Sequence, residues 1–170
     1  MGKADKELGA QPRHQVAALP FRTDPSGQVE FLLVTSRETK RWVIPKGWPM
    51  SGKKPYRAAE REAYEEAGIV GKIEQTALGS YGYDKIIDNG SALPCEVVVF
   101  PLRVDGQRKR WPEMNEREAR WFTSEEAAQA VAEEGLRELL IRFGQVTSAH
   151  LSAQQQRLRL RALWKPSPAD

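Results

Sequence analysis

Cysteine is nearly absent from this chain of 170 residues: Cys95 is the only one. That excludes an intrachain disulfide and any cysteine-based zinc site, and Cys95 reads as a small core residue. Histidine is almost as scarce, and both His14 and His150 read as bystanders, one at a strand start and one in the tail. Long apolar runs are missing too. No stretch approaches the roughly 20 residues of a membrane span, and no signal-peptide pattern opens the chain. Lys6 stands where myristoylation after Gly2 would want Ser or Thr. Nor is there a large excess of one charge: 26 Lys and Arg against 23 Asp and Glu leave +3. A pI of about 9.1 weakly favours anionic ligands, but +3 alone does not imply nucleic acid. What is present, 40% hydrophobic and 29% charged residues, suits one cytoplasmic domain with a real core and no membrane partner.

Along the chain, residues 1–13 are polar and aperiodic, which predicts a flexible tail. "HQVAALPFR" (14–22) and "VEFLLVTSR" (29–37) read as two strands around the turn-forming "TDPSGQ". "RWVIPKG" (41–47) is a short strand, followed by the loop "WPMSGKK" and a helix over 55–67. Pro55 suits the first helical position and Gly68 the residue just past the end. Residues 71–86 read as one strand, and 92–106 is the most strand-like stretch. Residues 119–134 read as a strand end, then Thr123 or Ser124 capping a helix. Helix continues over 136–143, and 148–164 is read as helical before a disordered "KPSPAD". This order predicts one α/β (α+β) domain over 14–145, with 146–170 as a C-terminal helical extension and tail.

The chemistry concentrates in "REAYEEAGI" (61–69). On a helix, Glu62, Glu65 and Glu66 stand at i, i+3 and i+4 and share one face, where like charges repel. Two of them lie in the last turn, at the negative end of the helix dipole, while Lys53 and Lys54 flank its positive end. A helix that breaks the electrostatic rule at both ends is expected at a functional site. A divalent cation at the acidic end and a phosphate near the basic end would repair both faults, and oxygen ligands select Mg²⁺ or Mn²⁺ over zinc. A solvated acidic face is the commoner meaning of glutamate runs, so the wider spacing has to decide.

From Gly47 to Ile69 the chain reads "GWPMSGKKPYRAAEREAYEEAGI". This resembles the signature of the Nudix hydrolases: Gly, five residues, Glu, seven residues, Arg-Glu, an aliphatic, any residue, Glu-Glu, any residue, Gly, an aliphatic. Gly47, Arg61, Glu62, Glu65, Glu66 and Gly68 fall on it, a coincidence expected on the order of once in 10⁵ sequences. The resemblance implies an α/β/α sandwich around a mixed central sheet, with the signature as a loop–helix–loop metal site. It also implies Mg²⁺- or Mn²⁺-dependent cleavage of a diphosphate joined to another moiety. Carried over, Glu62, Glu65 and Glu66 would hold the metal, Arg61 would orient a glutamate, and Gly47 would allow close backbone approach. Lys53 departs from the pattern, standing where the family has its first glutamate. Arg61 then needs another partner, Glu65 being one turn on.

"AALPFR", "RWVIPKGWPM", "AAEREAYEEAGIVG" and "EREARWFTSEEA" together look like the diphosphoinositol polyphosphate phosphohydrolase subgroup, whose members also cleave dinucleoside polyphosphates. Arg41, Lys46, Lys53 and Lys54 offer the charge that a phosphate-dense small molecule needs. Trp48 and Tyr56 could stack on a base, with ordinary packing the preferred reading of Tyr56, and Tyr81, Tyr83 and Lys85 lie near a strand end from which they would reach the pocket. A general base is required as well: Glu66, Glu116 and Glu118 are the candidates, and the sequence leaves the choice open. Two other readings compete. Lys53 favours a sensor that binds without cleaving. The basic "QQQRLRLRALWK" segment (154–165) is the only support for an RNA 5′-pyrophosphohydrolase, so nucleic acid is not the expected partner. The chain is expected as a monomer or homodimer.

Overall fold

A computed structural model describes residues 11–163 of the chain; the tails expected over 1–10 and 164–170 lie outside the described residues. The apolar run of β1 (Arg13–Thr23) organises the rest, because Val16 to Leu19 are buried on both sides of the strand. A strand covered on both faces must sit at the centre of a sheet between two layers. One flank of β1 pairs antiparallel with β2 (Val29–Thr35), Phe21 opposite Phe31, and with the short β4 (Lys46–Gly47). The other flank pairs in parallel with β7 (Ala92–Gln107) over nine residue pairs from Arg13–Cys95 to Phe21–Arg103. Strands β3 (Trp42–Val43) and β8 (Ala119–Thr123) extend the sheet beyond β2, and β5 (Ile69–Ile73) and β6 (Gly79–Ile86) both pair antiparallel with β7. The result is one eight-stranded mixed sheet.

Each face carries its own core. Helix α1 (Pro55–Ala67) lays Ala58, Ala59, Ala63 and Ala67 on Val16, Ala18, Leu32, Phe100 and Leu102. The opposite face is covered by α2 (Ser124–Ala130) and α3 (Glu134–Leu163), whose Leu136, Leu139 and Leu140 pack with Leu19, Phe31, Val97 and Val99. This is the expected α/β/α sandwich. Alanine on α1 lets the helix axis approach the sheet closely, which positions the residues of its last turn at the sheet edge.

Most predicted elements stand where expected, and the β1–β2 hairpin and α1 match closely. Three differ. The single strand read over 71–86 is two, β5 and β6, separated by residues 74–78, and both add to the long β7 instead of continuing each other. The helix after Thr123 ends at Val131, which turns to extended backbone and bridges Trp42. Thr123 caps it through a reciprocal capping box with Glu126. The two helices read over 136–143 and 148–164 are one continuous helix, α3, running unbroken past residue 145. No helix among the described residues is long and apolar enough to cross a membrane.

Candidate active site

Helix α1 carries both electrostatic faults that its sequence suggests. Lys54 is its N-cap without any side-chain cap bond, its first turn has no acid, and its last turn has no base. It stops at Gly68, whose φ of 68° and N–H bonds to Ala63 O and Tyr64 O form a glycine C-cap. A methyl group at Gly68 would also run into the Trp111 ring.

The three glutamates do not share one environment. Glu66 follows Ala59 by seven residues, about 20° round the helix, and so projects from the buried alanine stripe. It is 4% exposed, and its Oε2 has no hydrogen-bond partner. Its Oε1 lies 3.4 Å from Arg117 Nη2, a guanidinium that is itself nearly buried. Glu62 lies against the backbone of β4, so close that a methyl group at Gly47 would collide with its carboxylate. Glu65 is turned onto Arg61, whose Nε donates to its Oε1 at 2.7 Å. Arg61 therefore takes Glu65 as its partner in the helix where Lys53 replaces the signature glutamate. Among the described residues no three His, Cys, Asp or Glu side chains converge as a preformed cation cage.

Burial dominates the acidities here. It pushes Glu66 up to about 8 against the pull of Arg117 and Lys46, and Glu62 up to about 7, with Glu65 and Glu113 adding to the shift. Burial likewise pushes the Lys46 ammonium down, opposed by Glu66 and Glu133. A pH effect on stability follows. The folded protein keeps a proton on Glu66 up to about pH 8, whereas the unfolded chain releases it near 4.5. Unfolding thus releases a proton in that window. Stability of the metal-free protein should fall as pH rises from 5 to 8, by at most about 1.4 kcal/mol per unit from this group. Lys46 acts in the opposite sense, but only where the folded state loses its ammonium proton. Urea midpoints in chelator at pH 5.5 and 8.0 check this, and a midpoint that rises with pH would contradict it.

Other predicted residues are only partly gathered. Lys46 and Gly47 sit beside the carboxylates on β4. Lys53 and Lys54 are exposed at the far end of α1, about 18 Å along the axis from Glu66. Arg41 reaches Glu133 at 3.3 Å. Glu116 and Glu118 are exposed, Glu116 lying 3.8 Å from Arg37. Tyr56 packs edge-on to Phe100 as an ordinary core contact.

Three residues beside the cluster had no part in the sequence reading: Arg117, Glu113 and Glu133. Arg117 bonds Glu113 at 3.1 Å and the Thr35 carbonyl at 3.1 Å, and so ties β2 and the loop before β8 to Glu66. Glu113 joins that loop to the helix end a second time, its N–H donating to Glu65 O at 3.0 Å. No local signal picks Arg117 out, because 116–118 lie in the loop before β8, where strand alternation does not apply. Glu133 is nearly buried, and its Oε2 is a second orphaned carboxylate oxygen.

The family model of the Nudix domain matches residues 12–143. The chain belongs to the Nudix family. Among its Nudix relatives, Nudix hydrolase 12, mitochondrial, of Arabidopsis thaliana is 31% identical over 119 residues, 68% of this chain and 59% of that protein. Diphosphoinositol polyphosphate phosphohydrolase 3-alpha of Mus musculus is 31% identical over 117 residues, 68% of this chain and 66% of that protein. The chain thus spans about three fifths to two thirds of these relatives' length. The solved C. elegans Ap4A hydrolase shares the Nudix fold, with a TM-score of 0.58 and 21% identity over 80% of this chain and 98% of that one.

Proposed function

We propose that this Nudix protein is a Mg²⁺- or Mn²⁺-dependent pyrophosphohydrolase that cleaves a diphosphate linkage in a phosphate-dense small molecule. Diphosphoinositol polyphosphates and dinucleoside polyphosphates are the substrate classes it fits best. The observation that carries the reading is the orphaned Oε2 of Glu66, buried in the last turn of α1, a turn without a basic residue. A buried carboxylate oxygen without a partner is costly and calls for a ligand. The bare backbone at Gly47, which leaves no room for a side chain against Glu62, fits the same demand.

Glu62, Glu65 and Glu66 are the residues that would hold the ion. When bound, such an ion supplies Lewis acidity, drawing charge from diphosphate oxygens and acidifying water. Arg61 holds Glu65 and Arg117 holds Glu66, so two of the three carboxylates are oriented by charge-assisted contacts. Lys46 and Arg41 bind phosphate oxygens on the β3–β4 side, and Lys53 and Lys54 add long-range attraction from the loop. Glu66 is also the best-supported proton acceptor, since Glu116 and Glu118 are exposed. The mouse relative supports the inositol class, and a cytoplasmic location belongs to the same proposal.

Phosphate release should be measured with and without Mg²⁺ on a diphosphoinositol pentakisphosphate, diadenosine hexaphosphate, ADP-ribose and a 5′-triphosphorylated RNA. Metal-dependent turnover of either of the first two is expected. Tight binding with no turnover on any of the four would point instead to the sensor that Lys53 suggests.

A further inference from the structure

On the sheet face that α3 covers, three cations gather around two aromatic rings. Alternation along β1 puts Arg13 and Gln15 on the face of Ala17 and Leu19, and along β6 it aligns Tyr81, Tyr83 and Lys85. Both sets belong to the sheet face whose core is completed by α3. Lys46 lies opposite Ala17 in the β1–β4 register. The guanidinium carbon of Arg13 is 5.2 Å from the centre of the Trp48 ring, and Lys85 Nζ is 5.5 Å from the same ring. Lys46 Nζ stands 5.2 Å from the Tyr83 ring centre. Tyr83 is itself fixed, its hydroxyl donating to Oε1 of the buried Gln15 at 2.6 Å.

None of Arg13, Lys46 and Lys85 is ion-paired among the described residues. Lys46 feels Glu66 and Glu133, but for Arg13 and Lys85 the neighbouring acids cannot serve, because Asp84 and Glu96 occupy alternate strand positions and turn to the opposite face. Glu96 lies instead beside His14 and accepts a bond from Ser80. Arg13 and Lys85, held against the same Trp48 ring without an ion-pair partner, repel each other. Contact with ring faces offsets only part of that cost. Such an arrangement wants an anion.

We propose that Arg13, Lys85 and Trp48 form a second phosphate subsite, joined to the carboxylate cluster through Lys46, which grips a phosphate group remote from the bond that is cleaved. The proposal rests on the phosphohydrolase reading above and narrows it: the favoured ligand is a multiply phosphorylated polyol, not a nucleobase. A base stacking on Trp48 would have to displace Arg13 or Lys85 from the ring. Phosphate groups use both cations where they stand. Trp48, 37% exposed, then serves as the platform that keeps the cations in place.

Calorimetric titration of the full chain in chelator tests this apart from turnover. Inositol hexakisphosphate, which has no diphosphate linkage, is the probe, and adenosine is the competitor. Wild type should bind the probe, and Arg13→Gln with Lys85→Gln should weaken binding by about 30-fold or more, each lost charge-assisted contact being worth roughly a factor of ten. Adenosine should not compete. If the double variant melts abnormally, Lys85→Gln alone should still weaken binding several-fold. Failure of wild type to bind, affinity within about 3-fold of wild type in the folded variants, or displacement by adenosine that Trp48→Ala abolishes would each overturn the subsite. Because the titration needs no catalysis, a protein that binds but never hydrolyses would refute the enzyme reading alone.

Discussion

Replacing Glu66 by glutamine should lower kcat by about 10³-fold or more with little change in KM, and should raise the stability of the metal-free protein at pH 8. The two effects share one cause. Glu66 lies in the alanine stripe of α1, where its carboxylate is shut off from water and its ion-pair contact is Arg117. A buried site tolerates a neutral amide better than a charge, so the folded state gains from the substitution wherever the carboxylate would be ionised. The same amide is a poor ligand for a hard cation and cannot accept the proton released when water attacks phosphorus.

The paired readout separates function from structure. Loss of turnover with an unchanged or raised melting temperature at pH 8 supports a carboxylate retained for chemistry at a cost in stability. Unchanged turnover would remove Glu66 from the reaction. Loss of turnover together with a lower melting temperature at both pH 5.5 and pH 8 would make Glu66 a structural partner of Arg117. In wild-type protein, Mg²⁺ should raise the melting temperature more at pH 8 than at pH 5.5, because binding competes with the proton that Glu66 retains up to about 8.

The sequence made the local parts of this site legible and concealed its long-range parts. Helix α1 could be read from Pro55, Gly68 and the glutamate spacing, because caps and side-chain periodicity are written in neighbouring residues. The strand β1 could be recognised too, but not its parallel pairing with β7 across some eighty residues, which only the assembled core decides. The split between β5 and β6 was hidden because both read as strand and their break carries no proline or glycine pair. Loop residues were hardest. Glu116 and Glu118 drew attention as carboxylates, while Arg117 between them is the one turned to Glu66. Glu133 reaches Arg41 from a segment far away in sequence, and no spacing rule joins the two. The unequal burial of the glutamates was within reach, since a seven-residue step from Ala59 places Glu66 in the packed stripe.

That stripe supports the other large effect. Ala59→Glu combined with Ala63→Glu should leave the protein without a cooperative thermal transition. Both alanines are fully buried, and they face Val16, Ala18, Leu32, Phe100 and Leu102 with no polar group of the core offered to a new carboxylate. Burying an unpaired carboxylate there costs roughly 3 kcal/mol or more even after it takes up a proton, and the added side-chain volume pushes α1 off the sheet. Two such changes one turn apart exceed or consume a total stability of about 5–15 kcal/mol. Lifting α1 would also carry Glu62, Glu65 and Glu66 away from β4 and Arg117, so activity should vanish with the fold. Glu60→Ala, which removes a half-buried carboxylate paired with Arg57 outside the alanine stripe, is the matched control and should shift the melting temperature by only a few degrees. Near-UV circular dichroism and a thermal melt decide the matter: a native-like transition within a few degrees of wild type in the double variant would mean that α1 does not pack through its alanines, and the burial argument for Glu66 would fall with it.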